Sequence, residues 1–305
     1  MRLTAHASPL VRAAVSRRAF RRDAHAAPQA GLAREAALAL VRTAGLALLA
    51  ALLVFLATLV SARAQTLGYA YDPEREVDVE LVLAVDISQS MDTDEQEIQR
   101  AGYVAALTSE QVLDAIKYGP TGRIAVAYME WGGAGEQFIV ADWSVISDAE
   151  SAAAFATRIA EAPLRQRRRT SIASALEEAT RMVAENAYEG LRKVIDISGD
   201  GPNNQGGAVT AFRDRTIAQG ITINGLPLMM KDDDAPWQTM MNVDHYYEDC
   251  VIGGPGHFFV PVHSKAQFAD AVRMKLVLEI AGLVPSEPRV MQASGRKPVN
   301  CGLYD

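Results

Sequence analysis

From about residue 79 onward the apolar positions switch repeatedly between two periods. Val79-Glu80-Leu81-Val82-Leu83-Ala84-Val85 is a short β-branched and Leu-rich run, and it predicts a buried strand over 79–86. Residues 93–115 carry Ile98, Tyr103, Ala106 and Val112 among apolar positions at helical spacing, with Asp92 or Thr93 placed to cap the start. Strands are predicted at 123–130 and 137–146, joined as a hairpin through a Gly-rich turn. A helix over 149–162 stops at Pro163, and a longer amphipathic helix spans 171–186. A strand at 193–198, a helix at 208–219 ended by Gly220 and a strand at 221–226 follow. The pattern closes with a helix over 236–249, a strand over 257–262 and a helix over 266–280. Such alternation predicts an α/β fold: a doubly wound, mainly parallel, Rossmann-like sheet with helices on both faces and one antiparallel edge strand.

The first 64 residues follow another pattern. They hold nine Arg, no Lys, one Asp and one Glu, a formal charge of +7, while the remainder has 21 basic and 35 acidic residues, or −14. The acidic body argues against nucleic acid as a partner. Thr43 to Val60 is an uncharged, mostly apolar run preceded by basic residues and followed by Ala62-Arg63-Ala64. Basic, apolar and small-x-small segments in that order make a secretory signal, with Gln65 as the new terminus. The competing reading is a membrane anchor, since 18 residues nearly span a bilayer; only then is the membrane a partner. Either way the body is expected outside the cytoplasm, periplasmic or secreted. The expected organisation is an export segment at 1–64, a linker at 65–77, one domain at 78–282 and a tail at 283–305.

Cys250 and Cys301 are the only cysteines. In an oxidising compartment an even pair favours a disulfide over two free buried thiols. The bridge would tether the tail by closing a loop of about 50 residues, worth roughly 4 kcal/mol in the chain-entropy model.

The chemistry sits where predicted strands end. Asp86-Ile87-Ser88-Gln89-Ser90 leaves the first strand with a carboxylate and two hydroxyls at alternating positions. These are hard oxygen donors, suited to Mg²⁺, Mn²⁺ or Ca²⁺ rather than zinc or copper. In open α/β sheets ligands gather at the carboxyl ends of strands. Two further loops bring donors to that side: Thr170-Ser171, opening a helix, and Ser198-Gly199-Asp200-Gly201, following a strand. Each of these residues taken singly would more often cap a helix than bind a metal.

The set of five, Asp86, Ser88, Ser90, Thr170 and Asp200, resembles the metal-ion-dependent adhesion site of von Willebrand factor type A domains, over roughly residues 77–282. The runs AVDISQSM, SGDGPNN and YYEDCVIGGPGHFF are similar to a branch of exported bacterial proteins, domain of unknown function 1194. Ser198-Gly199-Asp200-Gly201 departs from the wider family, which more often has Thr-Asp-Gly, and the extra residue bears on where Asp200 stands. The resemblance implies that Ser88 and Ser90 bind the ion directly, that Asp86 and Thr170 bind directly or through water, and that Asp200 orients a water. It implies an exported protein-binding module, not an enzyme, whose Mg²⁺ (or Mn²⁺ or Ca²⁺) takes an Asp or Glu from a partner protein. The competing class is a metal-assisted hydrolase or phosphoryl-transfer enzyme at the same site. An aspartyl nucleophile would want Asp where Ser88 stands, and no G-x-S-x-G elbow occurs.

Other features have two readings each. Arg165 to Arg169 is either a positive rim that draws an acidic partner, through Arg167, Arg168 and Arg169, or a solvated loop. Trp131 is either an exposed contact or packed under its own loop. Asp232-Asp233-Asp234 lacks calcium-loop spacing and reads as a solvated loop. Tyr246 and Tyr247 are expected to pack around the disulfide.

Overall fold

The computed structural model describes residues 27–66, 72–230, 242–283 and 296–305. It divides into two compact units, 1–71 and 72–305. In the first unit a 40-residue helix, α1 (Ala27–Thr66), contains Ala37–Leu56, a stretch long and apolar enough to cross a membrane by length and composition.

In the second unit the described residues form a five-stranded sheet, with order β3-β2-β1-β4-β5. Its strands are β1 (Glu76–Asp86), β2 (Ile124–Trp131), β3 (Gln137–Ile146), β4 (Glu189–Gly199) and β5 (Thr222–Pro227). All neighbours are parallel except the hairpin partners β2 and β3. The central strand β1 is buried from Val77 to Asp86 on both of its sides, which explains its nearly continuous apolar run. Successive side chains point to opposite faces. Val79, Leu81, Leu83 and Val85 meet helices α2 (Thr93–Leu107), α3 (Glu110–Lys117), α4 (Ala149–Glu161) and α8 (Phe268–Ala281). Val82 and Ala84 meet α5 (Ile172–Glu185), α6 (Val209–Ala218) and a π-helical turn, Tyr247–Val251, that continues the short α7 (Val243–Tyr246).

Three expectations are corrected. The helix expected over 93–115 is two helices. Thr108 Oγ1 donates to Val104 O at 2.9 Å, and Ser109 donates to Ala106 O while its oxygen accepts Val112 N–H. These local side-chain bonds compete with the helical ladder and restart it one turn later. The strand expected over 257–262 is reduced to isolated bridges, Gly225 to Phe259 and Leu228 to Val262. Pro261 and Pro227 lack the N–H groups a continuous ladder needs. Of the helix expected over 236–249, residues up to 241 lie outside the described residues, as does Asp232-Asp233-Asp234; the remainder is α7 and the π turn.

The chain runs from β1 through α2 and α3 on one face to β2, and from β4 through α6 on the other face to β5. Neighbouring strands β1 and β4 therefore send their connections to opposite faces. Between their carboxyl ends lies the switch point where such sheets open a crevice.

Candidate metal centre

Asp86 ends β1 at that crevice and is fully buried. Its Oδ1 accepts the Ser88 main-chain N–H at 2.7 Å, so the carboxylate itself turns the chain off the strand. Its main-chain carbonyl accepts Gln99 Nε2 at 2.9 Å, and Gln99 Oε1 accepts Ser198 Oγ at 3.3 Å. Gln99 of α2 thereby ties the ends of β1 and β4 together.

Above Asp86, Ser90 Oγ donates to Asp200 Oδ1 at 2.6 Å, and Ser88 and Ser90 hydroxyls lie 2.8 Å apart. A hydroxyl has one proton. Ser90 has committed its proton to Asp200, so Ser88 is the donor in the hydroxyl pair. Ser88, Ser90 and Asp200 thus form one chain of oxygens. Within Ser198-Gly199-Asp200-Gly201, Ser198 pairs with Leu226 and Gly199 with Pro227 in unbroken register, and Asp200 follows directly.

Thr170 arrives differently. Its N–H donates to Asn204 Oδ1 at 3.0 Å, and its carbonyl accepts Asn204 N–H at 2.9 Å. The preceding loop bridges to the Asp86 loop, with Arg167 N–H on Ile87 O at 2.8 Å. Gly132 permits this approach, since a Cβ there would lie 2.3 Å from Arg167 Cβ. Thr170 is buried at the rim, and among the described residues no hydrogen bond joins its hydroxyl to the oxygen chain. Four of the five expected donors are therefore gathered, and Thr170 stands beside them.

The partner-contact expectations divide. Trp131 is fully buried and is corrected as a contact: as the last residue of β2 it points into the face-two core with Ile172 and Leu176. Arg167 is half-buried, its guanidinium 4.6 Å from the Phe138 ring centre and 3.4 Å from Glu136. Arg165 also lies over Phe138. Arg168 and Arg169 are exposed.

Asn203 and Asn204, which the sequence reading passed over, lock the loops. Fully buried Asn203 accepts Ala173 N–H at 3.1 Å at the start of α5 and donates to Gly207 O at 3.0 Å. Two consecutive Asn in a Gly-rich loop are a signal of side chains hydrogen-bonding the backbone, and that signal was present.

Electrostatically, Asp86 is the deepest group of the centre. Burial, and then the charge of Asp200, push the Asp86 carboxyl up to about 8. No basic side chain among the described residues pairs with Asp86, and its Oδ2 is buried without a hydrogen-bond partner. Among the described residues no three His, Cys, Asp or Glu are grouped so as to hold a metal ion, and the oxygens gathered here are two carboxylates and hydroxyls. That set fits a hard divalent cation.

The tail and π turn flank this centre. The expected bridge between Cys250 and Cys301 is present, with Cα atoms 5.7 Å apart. Arg296 pairs with Glu248 and Asp249 of the same turn. Tyr246 and Tyr247 do pack in the face-two core with Cys250.

The family model "Protein of unknown function (DUF1194)" matches residues 76–284. The chain belongs to this family. No curated protein matches. Among solved structures, the pilus adhesin SpaC from Lactobacillus rhamnosus GG is similar at 16% identity and TM-score 0.49, over 68% of this chain and 30% of that one. Proximal thread matrix protein 1 from the mussel byssus, in a form described as having a zinc-occupied MIDAS motif, is similar at 14% identity and TM-score 0.46, over 67% and 46%. A von Willebrand factor type A protein from Catenulispora acidiphila is similar at 16% identity and TM-score 0.44, over 67% and 43%. The chain spans less than half the length of each. The α/β class rests on the strand order and crossovers of this chain itself.

Proposed function

We propose that the crevice between β1 and β4 is a divalent-cation adhesion site by which this exported protein captures an acidic side chain of a partner protein. The observation that carries this reading is the orphaned Asp86 Oδ2 beneath a hydrogen-bonded chain of Ser88, Ser90 and Asp200. Ser88 and Ser90 would hold Mg²⁺, or Mn²⁺ or Ca²⁺, with Asp86, Thr170 and Asp200 directly or through water. Bound there, the ion supplies an electrophilic position for an external Asp or Glu.

The residues do the rest. Asp86 orients the loop through Ser88 N–H, and Ser90 is held ready by Asp200. Neutral hydroxyls in place of further carboxylates leave the ion's charge uncompensated toward solvent, which favours an anionic partner group. Asp86 is sealed beneath the hydroxyls, a poor position for a nucleophile or general base, so binding is preferred to turnover.

Titration of the full chain in detergent micelles with Mg²⁺ and Mn²⁺, followed calorimetrically, is expected to show one site that Asp86→Ala abolishes while the circular dichroism spectrum persists. Equal titration of wild type and variant would refute the site. Hydrolysis of a phosphate ester or peptide that disappears in Asp86→Ala would transfer the site to the enzyme class.

A further inference from the structure

The Asp86 carboxylate has a second orphan facing it. The Tyr247 side chain is fully buried in the face-two core, yet its hydroxyl has no hydrogen-bond partner. Buried hydroxyls without partners are costly, by about 1–3 kcal/mol, and call for an explanation. A Cβ built on Gly199 would lie 2.7 Å from the Tyr247 hydroxyl oxygen and 2.9 Å from Asp86 Oδ2. Both orphans therefore border one small space, kept open because residue 199 has no side chain.

We infer that Tyr247 is a positioning residue of the metal centre: its hydroxyl proton is directed at Asp86 Oδ2, directly or through one water, and fixes the carboxylate for the ion. This rests on the metal reading above. Changing a residue that orients a metal's ligands typically costs about 10–100-fold in metal affinity.

The backbone around Tyr247 is built for that task. Tyr247 opens the π-helical turn Tyr247–Val251, and π turns recur at functional sites. The turn is clamped from outside by the Cys250–Cys301 bridge and by Arg296 on Glu248 and Asp249. The adjacent Tyr246 reaches the other metal loop, its hydroxyl accepting Asn203 N–H at 3.1 Å. Asp305 Oδ1 accepts Asn203 Nδ2 at 3.3 Å and Val209 N–H at 3.0 Å. Two neighbouring tyrosines on one clamped turn thus address the loops that carry Asp86 and Asp200.

Tyr247→Phe removes only the hydroxyl and keeps the ring. Tyr128→Phe is the control, since Tyr128 is also fully buried but packs mid-strand in the face-one core. Mn²⁺ titration of the full chain, by calorimetry and electron paramagnetic resonance, should show about a tenfold or greater loss of affinity in Tyr247→Phe. Tyr128→Phe should stay within about twofold of wild type. An ultraviolet tyrosine difference spectrum on Mn²⁺ addition should appear in wild type and vanish in Tyr247→Phe. Gly199→Ala should also weaken binding, by less in the Tyr247→Phe background than in wild type, because the two changes act on one space. Unchanged affinity in Tyr247→Phe, an equal loss in Tyr128→Phe, or additive effects of Gly199→Ala would overturn the inference while leaving the metal site standing. A wild type that binds no Mn²⁺ would overturn both.

Discussion

Two buried carboxylates in this fold, Asp196 and Asp86, sit in different surroundings. On face one, Asp196 of β4 and Glu279 of α8 clasp Lys275, with Lys275 Nζ 2.6 Å from Asp196 and all three side chains fully buried. Asn224 Nδ2 adds a bond to Glu279 at 2.9 Å, and the Phe258 N–H holds Asn224 in place at 3.0 Å. At the carboxyl end of the sheet, Asp86 has Asp200 nearby and no described basic side chain against it. Burial pushes carboxyls up in both places, Asp196 and Glu279 included. The difference is whether a described lysine or arginine meets the buried carboxylate. Where Lys275 does so, the cluster is closed, away from water, and ties α8 to β4. At the crevice, no described basic side chain lies against Asp86, and the Ser90 hydroxyl above it is half-buried.

Removing the internal cation should have the largest effect. Lys275→Met leaves two carboxylates buried without it and is expected to cost about 3–5 kcal/mol in urea denaturation. Adding Asp196→Asn and Glu279→Gln should recover much of that loss. By contrast, Asp86→Asn should leave the metal-free protein at least as stable as wild type, because the amide oxygen still accepts the Ser88 N–H and no described cation is lost. Equal destabilisation by Lys275→Met and Asp86→Asn would erase the distinction between the two clusters.

A pH series sharpens it further. Burial, and then the charge of Asp196, raise the Glu279 carboxyl to about 7 from an ordinary 4.5. The folded protein thus holds this proton more tightly than the unfolded chain. The resulting stabilisation is complete below about pH 4.5 and is lost as pH rises through 7. Unfolding free energies measured from pH 4.5 to 7.5 should include that decline in wild type and lack it in Glu279→Gln. Parallel curves would remove Glu279 as the titrating group.

The smallest effect belongs to the rim. Arg168→Gln with Arg169→Gln alters exposed side chains only, so stability should change by less than about 0.5 kcal/mol. Mn²⁺ affinity should remain within about twofold, since neither guanidinium belongs to the donor set. A tenfold change in titration would place these arginines inside the centre rather than around it.

Much of this was legible along the chain. The hairpin strand Gln137–Ile146 was predicted to the residue because alternation and a Gly-rich turn are local signals. The candidate residues Asp86, Ser88, Ser90 and Asp200 were legible because each ends or follows a strand whose apolar pattern is plain. The Thr108–Ser109 break was harder, since helical spacing continues through it and only the hydroxyl bonds reveal the stop. Trp131 was ambiguous because a strand's last residue can point to either side of its loop, and the α5 packing settles which.

The sequence by itself determined the strand and helix order, the acidic body, the apolar amino-terminal run and the hydroxyl-rich donor pattern, because each depends on residues a few positions apart. Only the tertiary structure decided which charges meet. Lys275 and Asp196 are far apart in the chain, as are Tyr247 and Asp86, and no local period encodes their approach. Crossover direction and sheet register bring them together, and burial then turns each approach into a cost that a partner or an ion must offset.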